Sequence, residues 1–172
     1  MTTNKFENNR EMDIMFMKMT YLFAQRSHCK SFKVAAIAVR DGRILFTGIN
    51  GTPHGYLNCD EMFEGTALKN PEAPDWQQKH WREEHHKWSL IHEAHAEQNL
   101  IGGACRNGIS LEGATVYLPM QPCQDCLKLM IVSGIKEVVF VDFYDKVDQE
   151  TLVFAKECGI NIRRLENFNE QM

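Results

Sequence analysis

The stretch TVYLPMQPCQDCLKLMIVSGIKEVVFVDFYDKVDQETLVFAKECGINIRRL, residues 115–165, decides the fold. Its apolar and β-branched runs at 115–118, 137–141 and 161–165 read as strands, and the segments between them, 123–133 and 149–158, read as helices. Strands alternating with helices of about ten residues imply crossover units, with helices on both faces of a sheet.

Upstream, 93–104 is compatible with a helix that Gly102-Gly103 weakens at its far end. Two further apolar runs, 33–40 and 43–48, are joined by Asp41-Gly42, a dipeptide that tolerates the positive φ of a tight hairpin. That antiparallel pair makes the expected sheet mixed, so the architecture is α/β, a three-layer α/β/α arrangement of about five strands. Near the start, Met12, Met15, Phe16, Met19, Leu22 and Phe23 form the apolar stripe of a helix that ends near Ser27, and core packing is preferred for it over a Met-rich binding surface. Residues 51–92 hold Gly, Pro, His and Trp with no sustained period, and read as a long, partly ordered insertion. Residues 1–172 are expected to form one domain around that insertion, without internal repeats.

A chain of 172 residues should bury about 70% of its unfolded surface. Its 44% hydrophobic and 24% charged content is that of a globular protein. With 19 basic and 23 acidic side chains, the net charge of -4 excludes a global basic field for nucleic acid or an anionic membrane, so an anionic partner must meet a local cluster. Six cysteines accompany a polar stretch at 1–10 that lacks a secretory core, which favours reduced thiols and metal over disulfides. No apolar run approaches the roughly 20 residues that span a bilayer, and the expected location is the cytoplasm, host cytoplasm for a viral protein.

Two short elements carry the chemistry. Cys123 and Cys126, three apart after Pro122, put both sulfurs on one face of a helix's first turn, where thiol pKa values fall. His95 and Glu97, two apart, would diverge by about 200° within a helix and converge only at a helix end, so both helices must aim their N-termini at one point. His95, Cys123 and Cys126 then give three zinc ligands with an open fourth position, and Glu97 is the neighbouring base. Taken alone, the cysteine pair also fits half a zinc ribbon or a redox motif, and His95 a core histidine.

His-x-Glu followed by Pro-Cys-x-x-Cys is the signature of zinc-dependent nucleobase deaminases. The chain resembles deoxycytidylate (dCMP) deaminases of bacteriophage type, members of the cytidine deaminase-like zinc hydrolases. The resemblance is carried by Ala24-Gln25-Arg26-Ser27, Lys33-Val34-Ala35-Ala36, Thr47-Gly48-Ile49-Asn50-Gly51, His95-Ala96-Glu97-Gln98-Asn99, the 122–126 motif, and Ser133-Gly134-Ile135-Lys136-Glu137-Val138. It implies hydrolytic deamination of dCMP to dUMP and ammonia, supplying dUMP for thymidylate synthesis. Zinc would activate water for attack at C4 while Glu97 moves protons.

For the substrate, the resemblance implies deoxyribose contact at Asn50 and base stacking at Tyr144. Arg26 and Lys33, with Ser27 between them, form a basic cluster suited to the 5′-phosphate; Lys30 reads as a solvated surface residue. Regulation by dCTP as activator and dTTP as inhibitor is implied at Asn50, Gly51 and Arg106, in a hexamer. A second, structural zinc is implied at Cys29, Cys59, His85 and Glu93, with His86 as the competitor of His85. It would staple the insertion to the sheet. Cys105 and Cys158 read as buried or incidental thiols, and Trp76, Trp81 and Trp88 as packing of the insertion. The alternatives are a tRNA or polynucleotide base deaminase of the same fold, disfavoured by the acidic balance, and a non-catalytic zinc-binding module, disfavoured by Glu97.

Overall fold

The computed structural model describes residues 5–144 and 147–168. Eleven elements follow one another among them: α1 (Lys5–Ala24), β1 (Ala35–Arg40), β2 (Arg43–Ile49), α2 (Cys59–Met62), α3 (Asp75–His92), α4 (Ala96–Arg106), β3 (Thr115–Met120), α5 (Gln124–Val132), β4 (Glu137–Asp142), α6 (Gln149–Glu157) and β5 (Asn161–Arg164). The sheet order is β2-β1-β3-β4-β5. β1 is antiparallel to both β2 and β3, whereas β3, β4 and β5 run parallel. The expected mixed five-stranded sheet is therefore present. Asp41 and Gly42 both take positive φ (52° and 71°) in the β1–β2 turn.

Alternation along the central strands divides the core in two. Ala36, Ala38, Val116, Leu118, Val138 and Phe140 face a layer with Leu100 and Ala104 of α4, Leu127 and Met130 of α5, and Ala155 of α6. Ile37, Val39, Tyr117, Val139 and Val141 face Phe16 and Met17 of α1, with Leu165 and Phe168. The buried stripe of α1 is Asp13, Phe16, Met17, Thr20 and Ala24, so Met15 and Leu22 of the expected stripe lie exposed instead. The stripe is rotated because Asp13 is buried by the Tyr117 phenol, which donates to its Oδ1 at 2.8 Å, and by Arg163, 2.8 Å from its Oδ2.

Three element boundaries differ from expectation. β3 continues through Pro119 to Met120, which pairs with Asp142; Pro119, with no N–H to give, is skipped in the register. The insertion contains an 18-residue helix, α3. Its inward stripe, Trp81, His85 and Trp88, has helical spacing but is built of aromatic rings, of which Trp81 and Trp88 pack on Phe63 beside Cys29 and Cys59. Trp76 is exposed and outside that packing.

The third difference matters most. Residues 93–95 are extended, not helical: Ala94 exchanges two hydrogen bonds with Gly51, and α4 starts only at Ala96. α4 then runs through Gly102-Gly103 to Arg106. A Cβ on Gly103 would collide with the Phe46 ring, so the glycine lets that ring pack against α4. Gly48 is tighter still: a Cβ on it would meet the Ala96 carbonyl and the Leu100 backbone, so the first turn of α4 lies directly on the β2 backbone.

Candidate metal centres

His95 is the N-cap residue of α4 and Cys123 the N-cap residue of α5, so two helix N-termini converge, as the His-x-Glu spacing demands. Pro122 stands one residue before that cap, fixing the chain's entry into α5. The His95 Nδ1 atom lies 3.5 Å from Cys123 Sγ and 3.4 Å from Cys126 Sγ. The His95 backbone N–H donates to Gln98 Oε1 at 2.8 Å, which ties the cap to the first turn.

A second cluster, Cys29, Cys59, His85 and Glu93, brings its four ligand atoms within 4.8 Å of one another. Cys29 Sγ is 3.5 Å from His85 Nε2 and 3.6 Å from Glu93 Oε2, and His85 Nε2 is 3.7 Å from Glu93 Oε2. His85 is buried in this cluster and His86 is exposed outside it.

Both sets suit a four-coordinate ion. Bonds of about 2.0–2.3 Å to a tetrahedral zinc put neighbouring ligand atoms about 3.3–3.8 Å apart, which brackets the separations just given. Glu93 Oε1 is buried with no hydrogen-bond partner, an expensive condition that a cation among these ligands relieves. In each cysteine pair one thiol is pushed down by a hydrogen bond from its neighbour, Cys123 from Cys126 and Cys29 from Cys59, and its partner is pushed up. Two bare thiolates at this range repel, so one proton stays; a divalent cation replaces it. Burial and the Cys29 charge raise the Glu93 carboxyl to about 7.

The clusters differ in access. Cys29, Cys59 and His85 are all buried, and the Glu93 side chain is 7% exposed, so the four-ligand set is closed. In the three-ligand set Cys126 is buried, Cys123 half-buried and His95 exposed, so one side faces solvent. Glu97, on the first turn of α4, is 5% exposed, and burial raises its carboxyl above the ordinary range, partly offset by its own backbone N–H and by His95.

Of the remaining expected site residues, Arg106 lies at the opposite end of α4 from His95, apart from the three-ligand cluster. Asn50 follows β2; its Oδ1 accepts from Val34 N–H and its Nδ2 donates to the Phe32 carbonyl, both at 2.9 Å. One amide N–H and one lone pair remain on it for a ligand. Ser27 is buried, donating to the Asn50 carbonyl and accepting from Cys29 N–H. Arg26 and Lys33 are exposed on either side of that turn, and Lys30 is half-buried, donating to the Phe63 carbonyl at the end of α2. Tyr144 is half-buried, its N–H 3.4 Å from Gln121 Oε1. Arg106 is exposed in the last turn of α4, and Gly51 makes the bridge to Ala94. Cys105 and Cys158 are exposed, not buried.

Sequence reasoning assigned no role to Gln98, Asn99 or Gln121. Asn99 donates to the Ile49 carbonyl at 2.7 Å and pins α4 to β2. Only the His95-x-x-Gln98 spacing, a capping pattern, signalled any of the three.

Comparison with known proteins agrees with this geometry. A profile described as the cytidine and deoxycytidylate deaminase zinc-binding region matches residues 10–142. The deoxycytidylate deaminase of Enterobacteria phage T2 is 37% identical, covering 89% of this chain and 92% of the relative. That of Enterobacteria phage T4 is 39% identical, covering 85% and 86%. A crystal structure of the dCMP deaminase from cyanophage S-TIM5, in complex with dCMP and dUMP, superposes with a TM-score of 0.66 at 28% identity, covering 90% of this chain and 96% of that one. Matched by that profile over residues 10–142 and more than a third identical to two phage deoxycytidylate deaminases over most of its length, the chain belongs to the cytidine and deoxycytidylate deaminase family.

Proposed function

We propose that the protein catalyses zinc-dependent hydrolytic deamination of dCMP to dUMP and ammonia, supplying dUMP for thymidylate synthesis. The observation that carries the reading is the pairing of an open three-ligand cluster with a buried carboxyl on the same helix turn, Glu97 beside His95, Cys123 and Cys126. A closed cluster would serve structure alone.

His95, Cys123 and Cys126 hold the catalytic zinc, which when bound acts as a Lewis acid that acidifies a water molecule. Because two thiolates already offset the ion's charge, that acidification needs the help of a base. Glu97 takes one proton from the water as its oxygen bonds to C4 and delivers it to N3, then takes the remaining hydroxyl proton and passes it to the departing amino group as the C4–N4 bond breaks. Water in and ammonia out balance the reaction without an oxidant. Burial serves this double role, since it raises the Glu97 carboxyl above the ordinary carboxylate range and makes it a stronger base.

Asn50 orients the deoxyribose through its remaining amide valences, and Tyr144 stacks on the base. Arg26 and Lys33 receive the phosphate, with Ser27 shaping the turn between them. Cys29, Cys59, His85 and Glu93 hold a second, structural zinc that fastens α3 to the turn after α1. The same reading includes activation by dCTP and inhibition by dTTP, acting at Asn50, Gly51 and Arg106 within a hexamer. Its test is incubation with dCMP and chromatographic detection of dUMP, with and without dCTP or dTTP. No product under any effector condition contradicts it.

A further inference from the structure

Both clusters meet at one three-residue segment, Ile49-Asn50-Gly51. The Ile49 carbonyl accepts from Asn99 of α4, the helix that His95 caps. Gly51 exchanges hydrogen bonds of 3.1 and 2.9 Å with Ala94, the residue between Glu93 and His95. Asn50 faces the other way. Its backbone N–H donates to the Val34 carbonyl at 3.0 Å, its side chain closes on Val34 N–H and the Phe32 carbonyl, and its own carbonyl accepts from Ser27. Ser27 in turn accepts from the backbone N–H of Cys29.

The loop 27–34 has no helix or strand of its own. These contacts fix its shape from one side, while Lys30 anchors it from the other through its N–H to Cys59 Sγ and its Nζ to the Phe63 carbonyl, and it delivers Cys29. We infer that Asn50 is a positioning residue for the closed metal cluster: its amide holds the loop in the geometry that presents Cys29 to His85, Cys59 and Glu93. A sugar contact uses only the amide valences left over, so the two roles coexist, but they fail differently when the residue is changed. Loss of a sugar contact weakens substrate binding and leaves metal retention alone. Loss of the loop clamp lets Cys29 move and weakens metal retention, with or without substrate. The inference rests on the assignment of both clusters as zinc sites.

The test is zinc release from the zinc-loaded full-length protein into excess chromophoric chelator, in the absence of nucleotide. The Cys59→Ser variant identifies which release phase belongs to the closed cluster. In Asn50→Ala that phase should accelerate by about 10- to 100-fold, the range found when partners that orient metal ligands are removed. Ser27→Ala, which deletes one hydroxyl from the same chain of contacts, should move the phase in the same direction by a smaller factor, and it decides the matter if Asn50→Ala does not fold. Release of the closed-cluster zinc at the wild-type rate in the variant that folds overturns the inference, whatever happens to KM for dCMP. A wild-type chain that retains fewer than two zincs overturns it together with the metal assignment. Two retained zincs with unchanged release overturn it alone.

Discussion

Glu93 and His95 stand two residues apart on one extended segment, yet they belong to two different ligand clusters. Ala94 between them is hydrogen-bonded to Gly51, so the position of each cluster is tied to the end of β2 and to the other cluster. A helical 93–95 would spend the Ala94 backbone groups within the helix and lose this link.

Replacing the buried carboxyl isolates the chemistry from the metal. Glu97→Gln should keep the zinc content of the wild type, because Glu97 is not among the ligand atoms of either cluster. Turnover of dCMP should fall by about 10²- to 10⁴-fold or more, the range for loss of a general acid and base. Elemental analysis and a turnover assay on one preparation check both halves; full activity contradicts the role of Glu97.

Gly48→Ala tests whether close packing of α4 on β2 sets the site. The added methyl would press on the Ala96 carbonyl and the Leu100 backbone, lifting the turn that carries Glu97 and that His95 caps. Overpacking of this kind costs about 1–3 kcal/mol. Both the denaturation midpoint and kcat should fall. An unchanged midpoint would show that α4 can shift freely.

Much of this was legible in the chain, for physical reasons that can be named. The 115–165 alternation and Asp41-Gly42 use the aliphatic periodicity and turn chemistry that sequence patterns report best. The 123–126 motif is legible because metal ligation fixes residue type and spacing together. α3 stayed hidden because its inward face is Trp81, His85 and Trp88, side chains that an aliphatic period does not count. The start of α4 was misplaced because the pairing of Gly51 with Ala94 joins residues 43 apart in sequence. The α1 stripe was rotated for a like reason, since the partners that make Asp13 a buried residue, Tyr117 and Arg163, lie far along the chain.

That polar network should be measurable. Asp13→Ala leaves the Tyr117 phenol and the Arg163 guanidinium without their common acceptor. Arg163 stays bonded to Glu137 and is partly exposed, which limits the loss to about 2–3 kcal/mol. Tyr117→Phe should cost less, about 1 kcal/mol, because Asp13 keeps Arg163. Urea denaturation of the two variants checks the order; equal costs would mean that the phenol, not the ion pair, dominates.

Removing one closed-cluster ligand should separate the two metals. Cys59→Ser should reduce zinc from two atoms per chain to one and lower stability, while Cys126→Ser should lose the other zinc and all activity. One zinc in the wild type, unchanged by Cys59→Ser, contradicts the assignment of the closed cluster.

The most direct test of the central claim is turnover itself. Zinc-loaded protein is supplied in parallel with dCMP, cytidine, dCTP and a tRNA hairpin, and ammonia and deaminated product are quantified in each, with and without dCTP or dTTP as effector. The account predicts stoichiometric dUMP and ammonia from dCMP and no inosine or uridine in the hairpin. Deamination of the hairpin, with dCMP left intact under every effector condition, would contradict it.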